Sequence, residues 1–128
     1  MSARPAQIRQ LLEALVDGKR ILGAAVVSRD GLPVQSRMTR PVSEETFCAM
    51  AAALLGAAEA ALQEWADERP QRATVEGPTL RLSIEGLDAD FILAVVAPPQ
   101  AAPLPEVGKA AAELRALLKG PGAASAPA

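Results

Sequence analysis

Apolar residues along this chain recur with two periods, and the switches between them mark out alternating helices and strands. Ile8, Leu11, Leu12 and Leu15 fall at i, i+3, i+4 and i+7. That spacing predicts a first helix from Pro5 to Asp17, with Pro5 in its first turn and Gly18 as its C-cap. Ile21 to Ser28 is apolar on both alternating sets, as a central strand covered on both faces requires. Arg29-Asp30-Gly31 carries hairpin chemistry. Leu32 to Met38 alternates apolar with polar and contains Pro33, which suits an edge strand. After a loop from Thr39 to Val42, the period returns to that of a helix from Ser43 to Trp65. Pro70 follows Asp67-Glu68-Arg69 and stops it. Arg72 to Glu76 reads as a short third strand. Leu80, Leu82 and Ile84 alternate with Arg81, Ser83 and Glu85 in a fourth, and Phe91 to Ala97 is a second doubly apolar strand. Pro98 to Pro103 is a stiff linker. A last helix opens at Pro105, with Val107, Ala111, Leu114, Leu117 and Leu118 on one stripe, and Gly120-Pro121 ends it.

The predicted order is α-β-β-α-β-β-β-α, an α/β (α+β) fold. Strands one and five, apolar on both sides, belong at the middle of the sheet. That gives a five-stranded sheet in spatial order 2-1-5-4-3, antiparallel except where strands one and five meet, with strands two and three at the edges. Helices one and three share one face and the long central helix takes the other. Residues 5–119 form a single domain. The segment 120–128, built only of Gly, Pro, Ala and Ser, is expected to be disordered.

The central helix is apolar or small nearly all round. At 100° per residue, Phe47, Met50, Leu54, Ala58, Ala61 and Trp65 form a bulky stripe expected to cover the sheet, with Trp65 in the core. The opposite side carries Ala49, Ala52, Ala53, Gly56 and Ala60. Gly56 is the informative residue, because glycine in a helix costs about 0.8–1.0 kcal/mol relative to alanine. An Ala/Gly strip with almost no charge is unlike the outer surface of a monomer. The expectation is that these five residues pack on the same helix of a second copy.

Composition narrows the chemistry. At 128 residues and 13.2 kDa, one domain is expected. Aromatic residues are 2% of the chain and the net charge is −2, so neither a basic footprint nor a stacking platform for nucleic acid is present. The absence of His removes the commonest general base and metal ligand. The one cysteine, Cys48, has no histidine to activate it and is read as a small buried filler; with no second cysteine, a reducing, cytoplasmic compartment is expected. No P-loop is present: Gly18-Lys19-Arg20 and Gly108-Lys109-Ala110 lack the hydroxyl residue and the spaced glycines. Asp88 and Asp90 are read as a strand entrance rather than a cation site. Arg69, Arg72 and Arg81 are read as a solvated strand face, with an arginine supplied in trans to a partner's phosphoryl chemistry as the rival. The longest uncharged apolar run, Phe47 to Ala58, falls short of the ~20 residues of a membrane span. No cofactor, metal or catalytic residue is assigned.

This ordered set of elements resembles the roadblock / dynein light chain family. The residues that carry the likeness are ILGAAVVSRDGLPV (21–34), FCAMAAALLGAAEAAL (47–62), VEGPTLRLSIEGLDADFILAVVA (75–97) and LPEVGKAAAELRALL (104–118), together spanning about Ile8 to Leu118. The resemblance implies a non-enzymatic homodimer in which central helices pack together. It also implies that third strands pair at their edges, here through Arg72, Thr74 and Val75. It further implies a small Ras-like GTPase as partner, bound or stimulated; no residue is assigned to that contact. The alternatives are a structural adaptor in a complex without a GTPase and, third, a small-molecule sensor using a sheet–helix cleft of a few hundred Å³.

Overall fold

The computed structural model describes residues 3–17, 20–101 and 104–119. Its elements are α1 (Ala3–Asp17), β1 (Gly23–Ser28), β2 (Pro33–Met38), α2 (Glu44–Gln63), β3 (Arg72–Glu76), β4 (Arg81–Gly86), β5 (Phe91–Ala97), a 3-10 turn (Pro99–Ala101) and α3 (Leu104–Leu118). The expected Gly18 cap, the Gly120-Pro121 stop and the tail 120–128 lie outside the described residues.

The sheet has the order β2-β1-β5-β4-β3. All four strand pairs are antiparallel, including β1 with β5, where Ala25 sits opposite Ala94. This corrects the expected parallel junction between strands one and five. The helix α2 carries the chain back across the sheet, so β3 sets off in the same direction as β2. Two further reversals return β5 to that direction, opposite to β1.

Strand alternation divides the core into two layers. Ala24, Val26, Leu93 and Val95 face α1 and α3, and meet Ile8, Leu12, Val107, Ala111 and Leu114 there. Ala25, Val27, Ile84, Ile92 and Ala94 face α2, and meet Cys48, Ala51 and Leu55. With so few aromatic residues, both layers are filled by aliphatic side chains and alanine, which lets the helices lie close to the sheet.

Two local features fix α2. Ser43 caps it: its backbone is extended (φ −75°, ψ 105°) and its hydroxyl accepts from the Thr46 N–H at 3.3 Å. Glu44 and Glu45 complement the dipole in the first turn, and Glu44 also accepts from the Ser36 hydroxyl on β2. At the other border, Gly31 in the β1–β2 turn has φ +94°, and a Cβ there would stand 3.1 Å from the Cα of Ala49. The turn needs a residue that tolerates the left-handed region and leaves room for the helix backbone, and glycine does both.

The helix is rotated from its expected orientation. Cys48, Ala51 and Leu55 point into the sheet, with Phe47, Ala52 and Leu54 half-buried beside them. On a helical wheel this buried face lies about 90° from the stripe expected from bulk. Trp65 is therefore not a core residue: it is 90% exposed, just beyond the helix end. The physical reason lies in the strands. β1 and β5 present mainly Ala25, Val27, Ile92 and Ala94 to α2, and a close-packed layer on small side chains takes alanine and cysteine more readily than Met or Trp.

Candidate functional site

Among the described residues, the outer surface of α2 is left without a partner. Ala53, Gly56, Ala57, Ala60 and Ala61 are exposed, and Met50 is 60% exposed. An added Cβ at Gly56 would meet nothing within 4 Å. Of the five small residues expected on a helix–helix seam, the structure leaves Ala53, Gly56 and Ala60 open. Ala49 is half-buried beside Gly31, and Ala52 is half-buried on the α2 core layer.

The two flanks of α2 face different parts of the sheet. Phe47 and Leu80 line one pocket, so the Phe47 flank looks toward the β3–β4 turn. Helical spacing puts Leu54, Ala58, Ala61 and, beyond the last turn, Trp65 on that same side. The Ala49 flank looks toward the β1–β2 turn. The bulky stripe thus borders the end of the sheet that carries the β3–β4 turn instead of sitting squarely on the sheet.

Strand β3 extends this surface. Ala73 packs in the α2 layer, and alternation puts Val75, 48% exposed, on the same face. Leu80 adds a further half-open apolar side chain. β3 pairs only with β4, so its other side is an open edge. Gly77 N–H donates to Leu80 C=O and Gly86 N–H donates to Gln71 C=O, which places the odd-numbered residues in the hydrogen-bonded pairs with β4. The backbone groups of Arg72, Thr74 and Glu76 consequently point outward. Of the three residues expected at this edge, Arg72 and Thr74 offer the outward backbone groups and Val75 the apolar side chain. An open edge beside an exposed apolar helix is a template for strand addition.

By length and composition alone α2 is long and apolar enough to cross a membrane, as core helices of other folds also are: it has 20 residues, with a mean hydropathy of 1.4 in its most apolar window. Here it packs by one side on the sheet, and only 17% of that window is buried.

The remaining candidates resolve into structural roles. Cys48 is fully buried in the α2 layer, and burial, with the Glu44 carboxylate adding to it, pushes its thiol pKa up. A raised pKa disfavours the nucleophilic thiolate. The Asp88 carboxylate accepts from the Asp90 and Phe91 N–H groups, both at 2.8 Å, and so builds the β4–β5 turn. Among the described residues, no three His, Cys, Asp or Glu side chains gather as metal ligands would. Gly108-Lys109-Ala110 lies inside α3. The apolar pocket between the start of α2 and the sheet has a volume of about 120 Å³, below the ~300 Å³ lower bound for ligand pockets. That weakens the sensor alternative in the place where it was expected.

The three arginines grouped by sequence are divided. Arg81 pairs with Glu76 at 3.0 Å on the β3–β4 hairpin. Arg69 pairs with Glu59 at 2.9 Å and Arg72 with Glu85 at 2.8 Å, and both line a cleft with Arg29 and Arg115. The last two were not singled out by sequence, since they lie on elements distant along the chain.

Residues 7–97 match the family described as the Roadblock/LC7 domain. Three solved structures share the architecture. An MglB described as having a tetrameric arrangement superposes with a TM-score of 0.83 at 17% identity, with 90% of each chain covered. MglB of Myxococcus xanthus gives 0.84 at 14% identity, again with 90% of each covered. A Roadblock/LC7 domain from Streptomyces avermitilis gives 0.76 at 23% identity, covering 87% of this chain and 93% of that one. No curated relative matches by sequence. At these identities the neighbours speak for the fold.

Proposed function

The chain belongs to the Roadblock/LC7 domain family, and from that premise we propose that it is a homodimeric docking module for a small Ras-like GTPase, with no catalytic group of its own. The observation that carries the dimer is the exposed apolar surface of α2 lying alongside the open edge of β3. Met50, Ala53, Gly56, Ala60 and Trp65 supply the helical part, and Arg72, Thr74 and Val75 the edge. Two copies of β3 joined antiparallel about Thr74 would set each Arg72 opposite the partner's Glu76, a favourable cross-strand charge pair. That register also aligns the outward backbone groups with one another. Such an interface is isologous, as a two-fold dimer requires.

The GTPase follows from the family resemblance: in bacteria and archaea many roadblock proteins work with small Ras-like GTPases. A dimer would offer such a partner one continuous sheet with a two-helix layer on one face. With no catalytic group identified, any effect on GTP hydrolysis would come through ordering of the GTPase's own residues. The lone buried Cys48 suits a cytoplasmic setting.

Sedimentation equilibrium at micromolar concentration tests the first half, and monomer alone at every concentration refutes it. Affinity capture from the native cell, followed by a GTP-hydrolysis assay on any captured P-loop protein, tests the second. A stable dimer that captures other proteins but no GTPase leaves the structural-adaptor reading in its place.

A further inference from the structure

On the side of the sheet away from α2's surface, the β4–β5 turn and the start of β3 border a cleft of about 590 Å³. Its lining holds four guanidinium groups, Arg29, Arg69, Arg72 and Arg115, and two carboxylates, Glu85 and Asp88. On a chain whose net charge is −2 this is a local surplus of positive charge.

The hydrogen bonds show how that surplus persists. Arg29 donates Nε and Nη2 to the Asp88 carbonyl at 3.0 and 2.7 Å. Arg115 donates Nε to the Leu87 carbonyl at 3.0 Å and Nη2 to the Gly86 carbonyl at 2.8 Å. Backbone carbonyls orient a guanidinium without cancelling its charge. Within the lining, the carboxylate that accepts from these arginines is Glu85, 8% exposed, bonded by Arg72 at 2.8 Å and by Arg115 at 3.4 Å. Asp88 spends its carboxylate on two backbone N–H groups of its own turn. Arg69 is also answered from outside the lining by Glu59. Arg72 and Arg115 thus share a single buried carboxylate, and Arg29, held by the Asp88 carbonyl, lines the same cleft.

We propose that this cleft binds a phosphoryl dianion, either a free phosphate ion or the phosphate of a small monoester. A planar carboxylate is already supplied by Glu85, and another would bring only one negative charge. A phosphoryl group brings about −1.5 to −2 charges and three acceptor oxygens, which suits forks converging from several directions. Guanidinium groups pre-set by carbonyls lose little entropy when such a ligand arrives. The cleft shares Arg72 with the proposed β3 edge, while Arg29, Glu85 and Arg115 take no part in that edge.

The test is a titration followed by NMR of the arginine Nε–H signals. The probes are inorganic phosphate and glycerol 3-phosphate, with acetate and sodium chloride as controls at matched ionic strength. Saturable shifts at Arg29, Arg72 and Arg115 with a midpoint at or below about 1 mM are expected for both phosphates. A tighter midpoint for glycerol 3-phosphate would assign the site to an organic monoester; equal midpoints would assign it to the bare ion. Arg29→Gln should weaken binding at least about tenfold. Glu85→Gln, which keeps an acceptor for the two arginines but removes the competing charge, should tighten it about fivefold or more. Where Glu85→Gln fails to fold, as read from its amide spectrum, Arg115→Gln is the second variant and should weaken phosphate binding about tenfold, as Arg29→Gln does. Equal shifts with acetate or chloride, or parent-like phosphate binding by folded Arg29→Gln, would overturn the proposal.

Discussion

Trp65 offers the sharpest test of the assembly, because it is the only tryptophan and is 90% exposed in the protomer. A Trp side chain buries about 150–250 Å² when fully covered. At about 25 cal/mol per Å², covering it on association contributes a ceiling of roughly 3–6 kcal/mol per copy. Truncating a hot-spot residue, a class in which Trp is enriched, costs about 2 kcal/mol or more, and two-fold symmetry applies that cost twice. Trp65→Ala should therefore weaken the dimer by about 4 kcal/mol, close to a thousandfold in Kd. The protomer should not notice: the residue follows the last turn of α2, and an exposed substitution shifts stability by no more than about 0.5 kcal/mol. Sedimentation equilibrium of both proteins gives the Kd values, and urea unfolding at concentrations below them gives protomer stability. In the parent, dilution should move Trp65 fluorescence to the red as the ring enters water. An unchanged Kd for Trp65→Ala, with emission constant across the range in which the parent dissociates, would refute the placing of this flank at the interface.

Three other substitutions probe separate links. Thr74→Pro removes an outward N–H on the open edge, so β3 should stay paired with β4 while edge pairing between copies is lost; size-exclusion with light scattering and circular dichroism would show monomer with unchanged strand content. Gly56→Ala should stabilise the protomer by about 0.8–1.0 kcal/mol in urea unfolding, since the added Cβ meets no atom within 4 Å. Gly56→Leu keeps most of that gain but should weaken association by about 1–3 kcal/mol per copy if a second helix lies there. Cys48 gives a pH signature. Its folded pKa is raised from the ordinary 9.0, so the folded state keeps its proton when the unfolded chain loses it. Its contribution to stability is full below about pH 9 and falls as pH rises above that; Cys48→Ala should lack this part of the decline in unfolding measured across alkaline pH.

The sheet was legible because its code is binary. Strands one and five are apolar on both alternating sets, and nothing but the centre of a covered sheet accepts such strands. Pro33 and the polar residues beside it mark an edge as plainly. Strand direction was the one topological error: direction depends on how α2 returns the chain, and that is a property of the connection, not of either strand. The rotation of α2 was harder to read for a different reason. A helix in which alanine occupies most positions has a weak preference about its axis, so the largest side chains dominate any wheel drawn from sequence. The sheet decides instead, and the small residues that β1 and β5 present took Cys48, Ala51 and Leu55.

That choice has a consequence for where binding surfaces arise. The layer under α2 was filled largely by small side chains, which left Met50 and Trp65 exposed, one near the start of the helix and one just beyond its end. A monomer gains nothing from an exposed Trp, while an interface gains more from it than from any other residue type. The arginine cleft follows a parallel logic with charge. Arg29, Arg72, Glu85 and Arg115 are spread over most of the chain, and no spacing rule joins them. They meet because the β1–β2 turn, β3, β4 and α3 converge at one end of the sheet, where turn carbonyls hold guanidinium groups without neutralising them. Sequence patterns mark which residues must be buried; they are silent on which charged side chains the turns will bring together.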